Sequence, residues 1–407
     1  MSSVRPVIPR TAVSRQPVRQ FRESRKRQLA IWWREIDRTL LLLVLLLVAV
    51  GAVAVAAASP ATARRLSTHA VQLDDLHFLW LHLRWIALGL GAMIAIALIP
   101  RELVRRGSLV LAAAMFVGLL LVPVLGAEVN GARRWLDLGL SVQPSEFLKP
   151  AFAVAVAWIL SWRVRDPDLP VIGISFACTA MVVVLLMAQP DLGASVLFAA
   201  TWLVMGMIAG LPMKRIVYFG GGAAVALMLA YLFYDNARHR IDSFLGGGTA
   251  FDQVDLASRT LMAGGWTGSG LWLGQRKMQL PEAHTDYIFS VIGEEFGLVI
   301  CGMVVVLYLA MVLRVLVRLV DEDNQFIILA ASGLIALFGG QAFINMMVNL
   351  QLFPSKGMTL PLVSYGGSSF VAQCCTIGLL LAITRRNPYL QREKFDLRSA
   401  LEKEAAR

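Results

Sequence analysis

The chain has 407 residues, of which 57% are hydrophobic and only 16% charged, and its mean hydropathy is +0.66. A soluble protein of this size needs more charge to cover its surface, so a water-soluble globular fold is excluded. The net charge of +11 is read as a topology signal rather than a nucleic-acid footprint, because Lys and Arg collect in cytoplasmic segments of membrane proteins.

Residues 1–38 form a basic arm with Arg25, Lys26, Arg27, Arg34 and Arg38 at its end. Its Pro and Ser content predicts cytoplasmic disorder, ending in a short interfacial helix around Ile31–Trp33. The charge suits anionic membrane lipid. The apolar run that follows is too long and leucine-rich for an excised signal and reads as a first membrane helix. Apolar runs of span length then recur. They lack barrel alternation, so helices are the remaining way to satisfy backbone groups in lipid.

About ten spans are predicted: 39–58, 78–99, 108–125, 147–162, 171–188, 194–210, 216–234, 286–313, 326–349 and 362–383. Predicted inside turns carry Arg101, Arg105 and Arg106; Arg163 and Arg165; Lys214 and Arg215; and Arg314 and Arg318. The tail carries Arg385, Arg386, Arg392 and Lys394. That distribution puts both termini in the cytoplasm. The expectation is an all-α polytopic membrane protein: a basic arm over 1–38, a helical domain over 39–385 with a large outer loop at 235–285, and a cytoplasmic tail over 386–407. The four cysteines, Cys178, Cys301, Cys374 and Cys375, lie in or beside apolar runs and read as small core residues.

Polar groups that the membrane makes costly carry the functional signal. The outer segment NGARRWLDLGLSVQPSEFLKP (130–150) puts Arg133, Arg134 and Lys149 on the side poor in cations, with Gln143, Ser145 and Glu146 just ahead of a span. Arginine forks suit phosphate oxygens, and an internal pair of Arg134 with Asp137 is the plainer alternative. In QPDLG (189–193), Asp191 suits a helix cap as well as a site. In PEAHTDYIFSVIGEEFG (281–297), Thr285 or Asp286 stands at a helix start, with His284 just before it as a further binding candidate. Ser290, Gly293 and Gly297 lie on one face there, the glycines as a GxxxG that admits a close neighbour.

A half-dry carboxylate at such a mouth can act as general base. Glu294 and Glu295 fall roughly 12 Å deeper and need a partner or a role. Gln341, Asn345 and Asn349 form an amide stripe four residues apart, read as helix glue. LFPSKGMTLPLVSYGGSS (352–369) breaks the helical pattern and carries Lys356 and Ser368. No GxxxxGK[ST] loop and no Cys/His metal spacing occurs, so nucleotide hydrolysis is not indicated.

The strings NGARRW with QPSEFLK, QPDLG, LPEAHTDYIFSVIGEE and PSKGMTLPLVSYGGSS closely resemble the SEDS family (shape, elongation, division and sporulation proteins) over residues 37–388. The division type fits better than the elongation type. The resemblance implies a ten-helix peptidoglycan glycosyltransferase acting on lipid II, with a class B penicillin-binding protein as partner and Asp286 as its catalytic aspartate. Arg133, Arg134, Lys149 and Lys356 are the candidates for phosphate or ion-pair support, with Glu128, Glu146 and Asp191 orienting them. A divalent cation (Mg or Mn) on the pyrophosphate is compatible with this chemistry, though the sequence does not specify one. Other divisome proteins are implied partners, and nucleic acid is not. A lipid II flippase, supported by the deep Glu294 and Glu295, and a non-catalytic scaffold are the rival readings.

Overall fold

In the computed structural model, the described residues run from 25 to 386, leaving out 70, 130–131, 138–140, 165, 167, 234–237, 239–240, 243–252 and 355–356. Two compact units separate, Ile36–Arg386 on one hand and Met1–Glu35 with Asn387–Arg407 on the other. Of the smaller unit, the described part is helix α1 (Arg25–Glu35). Ile31 and Trp33 are exposed on it, as suits a helix lying at a membrane interface.

The larger unit contains α2 (Arg38–Leu66), α3 (His77–Leu98), α4 (Arg101–Leu125), α5 (Pro144–Ser161), α6 (Val171–Ala188), α7 (Leu192–Ile208), α8 (Met213–Phe233), α9 (Gln253–Ala263), α10 (Ile288–Leu319), α11 (Gln325–Asn349) and α12 (Gly367–Ile383). Among the described helices, seven are long and apolar enough to cross a membrane, and α7 and α12 are shorter apolar helices. Each predicted span overlaps a helix, although the last, expected from 362, begins at Gly367. The fold is mostly helical, and its exposed apolar side chains, such as Leu42, Val110, Val124 and Val306, suit lipid contact.

Three features depart from the sequence expectation. First, α2 continues through Ser59-Pro60 to Leu66, well past residue 58. Its small residues from Ala54 to Ala63 are almost all buried, and tight packing outweighs the helix-breaking cost of Pro60. Second, α4 starts at Arg101, so Arg105 and Arg106 stand within its first turns and pair with Glu102 at 2.7 and 2.9 Å. Third, the outer segment before α5 holds a small antiparallel sheet: β1 (Ala127–Val129), β2 (Ala132–Asp137) and β3 (Ser141–Val142), in the order β1-β2-β3. Glu128 pairs with Arg133 and Leu136 with Val142 in the register.

The segment expected as one outer loop, 235–285, is not structureless. It contains α9, which packs on α10, and a chain from Gly264 to Lys277 that enters a break in α10. Gly297 interrupts that helix at φ 83° and ψ 172°, a conformation that favours glycine. It lies about 13 Å from the helix start by the helical rise. Ser269 and Gly270 donate to the carbonyls of Glu294 and Glu295 at 2.8 and 3.0 Å. Leu298 donates back to Gly265 at 3.0 Å. A Cβ on Gly297 would fall 2.3 Å from the Trp266 carbonyl, and one on Gly268 would fall 2.2 Å from that of Glu295. The GxxxG pair therefore does admit a close neighbour, namely α9 through Leu261 at Gly293 and the inserted chain at Gly297.

The two deep glutamates serve this insertion. Glu294 accepts the backbone N–H groups of Arg276 and Lys277 at 2.7 and 2.9 Å. Glu295 accepts those of Trp272 and of Gly274, the latter at 3.3 Å. It also pairs with the Lys277 ammonium, both side chains being 0% exposed. Lys277 donates further to the Ala57 carbonyl of α2 at 2.9 Å. Irregular backbone at membrane depth needs such internal partners, and carboxylates supply several acceptors each. Of the partner or role expected for Glu294 and Glu295, the structure supplies buried partners: the two acids anchor a loop.

Candidate active site

The polar motifs converge where the ends of α5, α11 and α12 meet the chain just before α10. Of the described membrane-length helices, α11 is the most enclosed, with 72% of its apolar window buried against 17% for α4. Its amide stripe therefore faces protein. Its partners are loop backbones as well as side chains of three neighbouring helices, Ser290 of α10, Lys149 of α5 and Gln373 of α12. Asn345 Nδ2 donates to the carbonyls of both Asp286 (2.8 Å) and Met358 (2.6 Å). Asn349 Nδ2 donates to Asp286 at 3.2 Å, and its Oδ1 accepts Ser290 Oγ at 2.7 Å. Gln341 Nε2 donates to the Thr359 carbonyl at 3.0 Å. One helix face thus holds both the acid-bearing segment and the 357–359 segment.

Asp286 is half-buried. The helix starts at Ile288 with Tyr287 as its cap, so Asp286 stands in the turn before the cap, not at the cap position itself. The ideal Cβ position of Gly357, a residue at φ +51°, is 3.5 Å from Asp286 Oδ2. The carboxylate therefore lies against the loop that carries Lys356. Lys356 itself lies outside the described residues.

Flanking residues fix this turn in place. Ser364 Oγ donates to the Thr285 carbonyl at 2.5 Å and Tyr365 N to that of His284 at 2.9 Å. The His284 ring shares a 3.0 Å hydrogen bond with Thr62 of α2 and stacks on Tyr365 at 5.1 Å. Burial pushes the His284 imidazole down to about 4 against the opposing charge of Glu282, so it is neutral near pH 7 and acts as a wedge rather than a cation.

The expected phosphate cations divide. Lys149 is 4% exposed, its ammonium held by Glu146 Oε1 at 2.7 Å and Gln341 Oε1 at 2.8 Å. Glu146 Oε2 accepts Ser369 Oγ at 3.1 Å, and Ser369 meets Thr359 Oγ1 at 2.9 Å. Gln373 adds a donor to Gln341 Oε1 at 3.0 Å. This buried chain of polar groups joins α5, α11 and α12 beneath the 357–359 segment. Arg134 projects to the turn before α7, donating to the Gln189 carbonyl at 3.1 Å and to that of Pro190. Its guanidinium is thus spent on backbone carbonyls.

Arg133, next along β2 and on its opposite face, is exposed. Asp191 caps α7 by accepting Ala194 N at 3.1 Å. Gln143 precedes α5 without a side-chain cap bond, and Ser145 is buried in the first turn. Ser368 is buried at the start of α12, and its Oγ has no hydrogen-bond partner. Sequence reasoning missed Thr62, Thr359 and Gln373, which sit in apolar or loop surroundings with no spacing signal of their own. Among the described residues, no three His, Cys, Asp or Glu side chains gather as a metal-ligand set.

The fold and its enclosed polar end define a polytopic α-helical membrane protein with a half-buried acid poised at the mouth of a broken helix. Residues 37–389 match the FtsW/RodA/SpoVE model, described as cell cycle protein, and the chain belongs to that family. A relative from Caulobacter vibrioides, described as a probable peptidoglycan glycosyltransferase FtsW, is 36% identical over 372 residues, covering 90% of this chain and 94% of its own. One of the same description from Methylococcus capsulatus is 37% identical, covering 76% and 81%.

Among solved structures, a chain from work on the structural coordination of polymerization and crosslinking by a peptidoglycan synthase complex superposes with TM-score 0.70 at 29% identity, covering 88% of this chain and 99% of its own. The Thermus thermophilus rod shape determining protein RodA gives TM-score 0.64 at 29% identity, covering 86% and 97%.

Proposed function

We propose that this protein is a peptidoglycan glycosyltransferase that polymerises lipid II into glycan strands at the outer face of the cytoplasmic membrane during septal wall synthesis. An α-linked diphosphate donor becomes a β-1,4 glycoside by a single inverting displacement. The acceptor 4-hydroxyl oxygen bonds to the donor's anomeric carbon, and the bond from that carbon to the diphosphate oxygen breaks. Asp286 takes the hydroxyl proton as general base. Undecaprenyl pyrophosphate leaves with the electron pair.

The observation that carries this reading is the placement of a half-buried carboxylate against the Gly357 loop, in a chain whose curated relatives are described as FtsW glycosyltransferases. Water is partly excluded around such an acid, which sharpens its selectivity for a positioned hydroxyl. Lys356 and Arg133 are the proposed partners of the leaving diphosphate. Lys149 and Arg134, engaged with protein groups, support the site's shape. The kinship with a synthase complex favours a class B penicillin-binding protein as partner, with divisome proteins and lipid II completing the assembly. The anchoring of Glu294 and Glu295 leaves the flippase reading without its main support.

Polymerisation of labelled lipid II by the purified protein, with and without its transpeptidase partner, tests the activity. Within that assay, Lys356→Ala is expected to lower kcat/KM for lipid II by roughly ten-fold or more, the loss of one charge-assisted contact. An unchanged dependence of rate on lipid II concentration would remove Lys356 from the binding site.

A further inference from the structure

Asn345 is the one side chain among those described on the α11 stripe that bonds both segments of the site at once, through a single amide nitrogen 2.8 Å from the Asp286 carbonyl and 2.6 Å from the Met358 carbonyl. We infer that Asn345 is a positioning residue that sets the distance between the Asp286 carboxylate and the 357–359 loop, and so the alignment of base and diphosphate. The inference rests on Asp286 being the base.

Several observations point the same way. Asn345 is 2% exposed, so its bonds have no competition from water. Its oxygen faces Asn349 Nδ2 at 3.3 Å, and Asn349 also donates to the Asp286 carbonyl, at 3.2 Å. The two amides therefore interlock, which fixes which end of each is the donor. Both contacts to Asp286 are to its backbone, so the clamp orients the residue without consuming the carboxylate.

The 357–359 segment, in turn, has no regular structure of its own. It takes its place from Asn345 at Met358 and from Gln341 at Thr359. The Gly357 position 3.5 Å from Oδ2 is thus set from α11. A misplacement of about 1 Å at a reacting pair can cost on the order of 10²-fold in rate.

The test compares purified complexes of Asn345→Ala, Leu334→Ala and Asp286→Ala with the unsubstituted protein. Leu334 is 0% exposed on the same helix, about 16 Å inward by the helical rise. Its truncation supplies a matched loss of stability with no loss of alignment. Melting temperature, partner capture, kcat and KM are read for each. The expected result is a kcat loss of about 100-fold for Asn345→Ala, with KM within about two-fold. That loss should far exceed the one in Leu334→Ala at an equal or larger drop in melting temperature.

A kcat loss in Asn345→Ala no greater than in Leu334→Ala would overturn the positioning role while leaving Asp286 untouched. Polymerisation by Asp286→Ala would overturn the base assignment and the inference with it. An Asn345→Asp variant adds a second reading. It removes both donors and puts a negative charge near Asp286, which should move the acid limb of the kcat profile to higher pH. An unmoved limb with full kcat would again overturn the role.

Discussion

Asp286→Ala in the purified complex is expected to reduce lipid II polymerisation by at least about 10²- to 10⁴-fold, the range contributed by a positioned general base. The fold should survive. The α11 amides bond the backbone carbonyl of residue 286, and the neighbouring turn is held through Thr285 and His284 by Ser364 and Tyr365. None of these contacts uses the carboxylate. Partner capture and melting temperature should therefore stay close to those of the unsubstituted protein. Asp286→Asn should fail as fully as Asp286→Ala, because an amide of the same shape cannot accept the acceptor's proton. Substantial polymerisation by either variant would take Asp286 out of the chemistry.

The second large effect concerns stability. Lys277 and Glu295 are both fully buried, and removing either partner leaves an uncompensated charge in a region that cannot hydrate it. A loss of about 3–5 kcal/mol is expected for Lys277→Met or Glu295→Gln alone. Glu295 also anchors the inserted backbone at Trp272 and Gly274, so its variant should be the worse of the two. The double variant should lose less than the sum of the singles, because neither charge then stands alone. Thermal unfolding of the detergent-purified protein measures all three. Strict additivity would show that the two groups do not act as a pair.

Much of this architecture was legible in the chain because membrane physics writes it in hydropathy. Each predicted span overlaps a helix, and the segment from His284 to Glu295 stood out as polar residues where polarity is costly. The failures share a cause, which is that the partner lay far away in sequence. Glu294 and Glu295 were visible as anomalies. Their partners, Lys277 and the backbone from Trp272 to Lys277, sit in a glycine-rich stretch too short and broken to read as membrane-embedded.

The amide stripe on α11 was placed correctly toward protein, and as the glue expected it bonds Lys149 of α5, Gln373 of α12 and Ser290 of α10; its grip on loops was not legible. Its acceptors are the carbonyls of Asp286, Met358 and Thr359, and loop backbones leave no trace in a periodicity. Lys149 was read as a candidate for phosphate or ion-pair support, and its pair with Glu146 is present, while its depth and its bond to Gln341 are tertiary facts. The small sheet before α5 was missed because its strands are as short as the two residues of β3.

The acid before α10 is expected to face the outer leaflet, where a lipid-linked sugar arrives. Glu282, exposed in the same turn, offers a handle that leaves Asp286 in place. In a variant with Cys178, Cys301, Cys374 and Cys375 replaced, Glu282→Cys should react with a membrane-impermeant thiol reagent added outside intact spheroplasts. Labelling from outside is the predicted result. A cysteine at 282 that reacts only after the cytoplasmic side is opened would contradict the account.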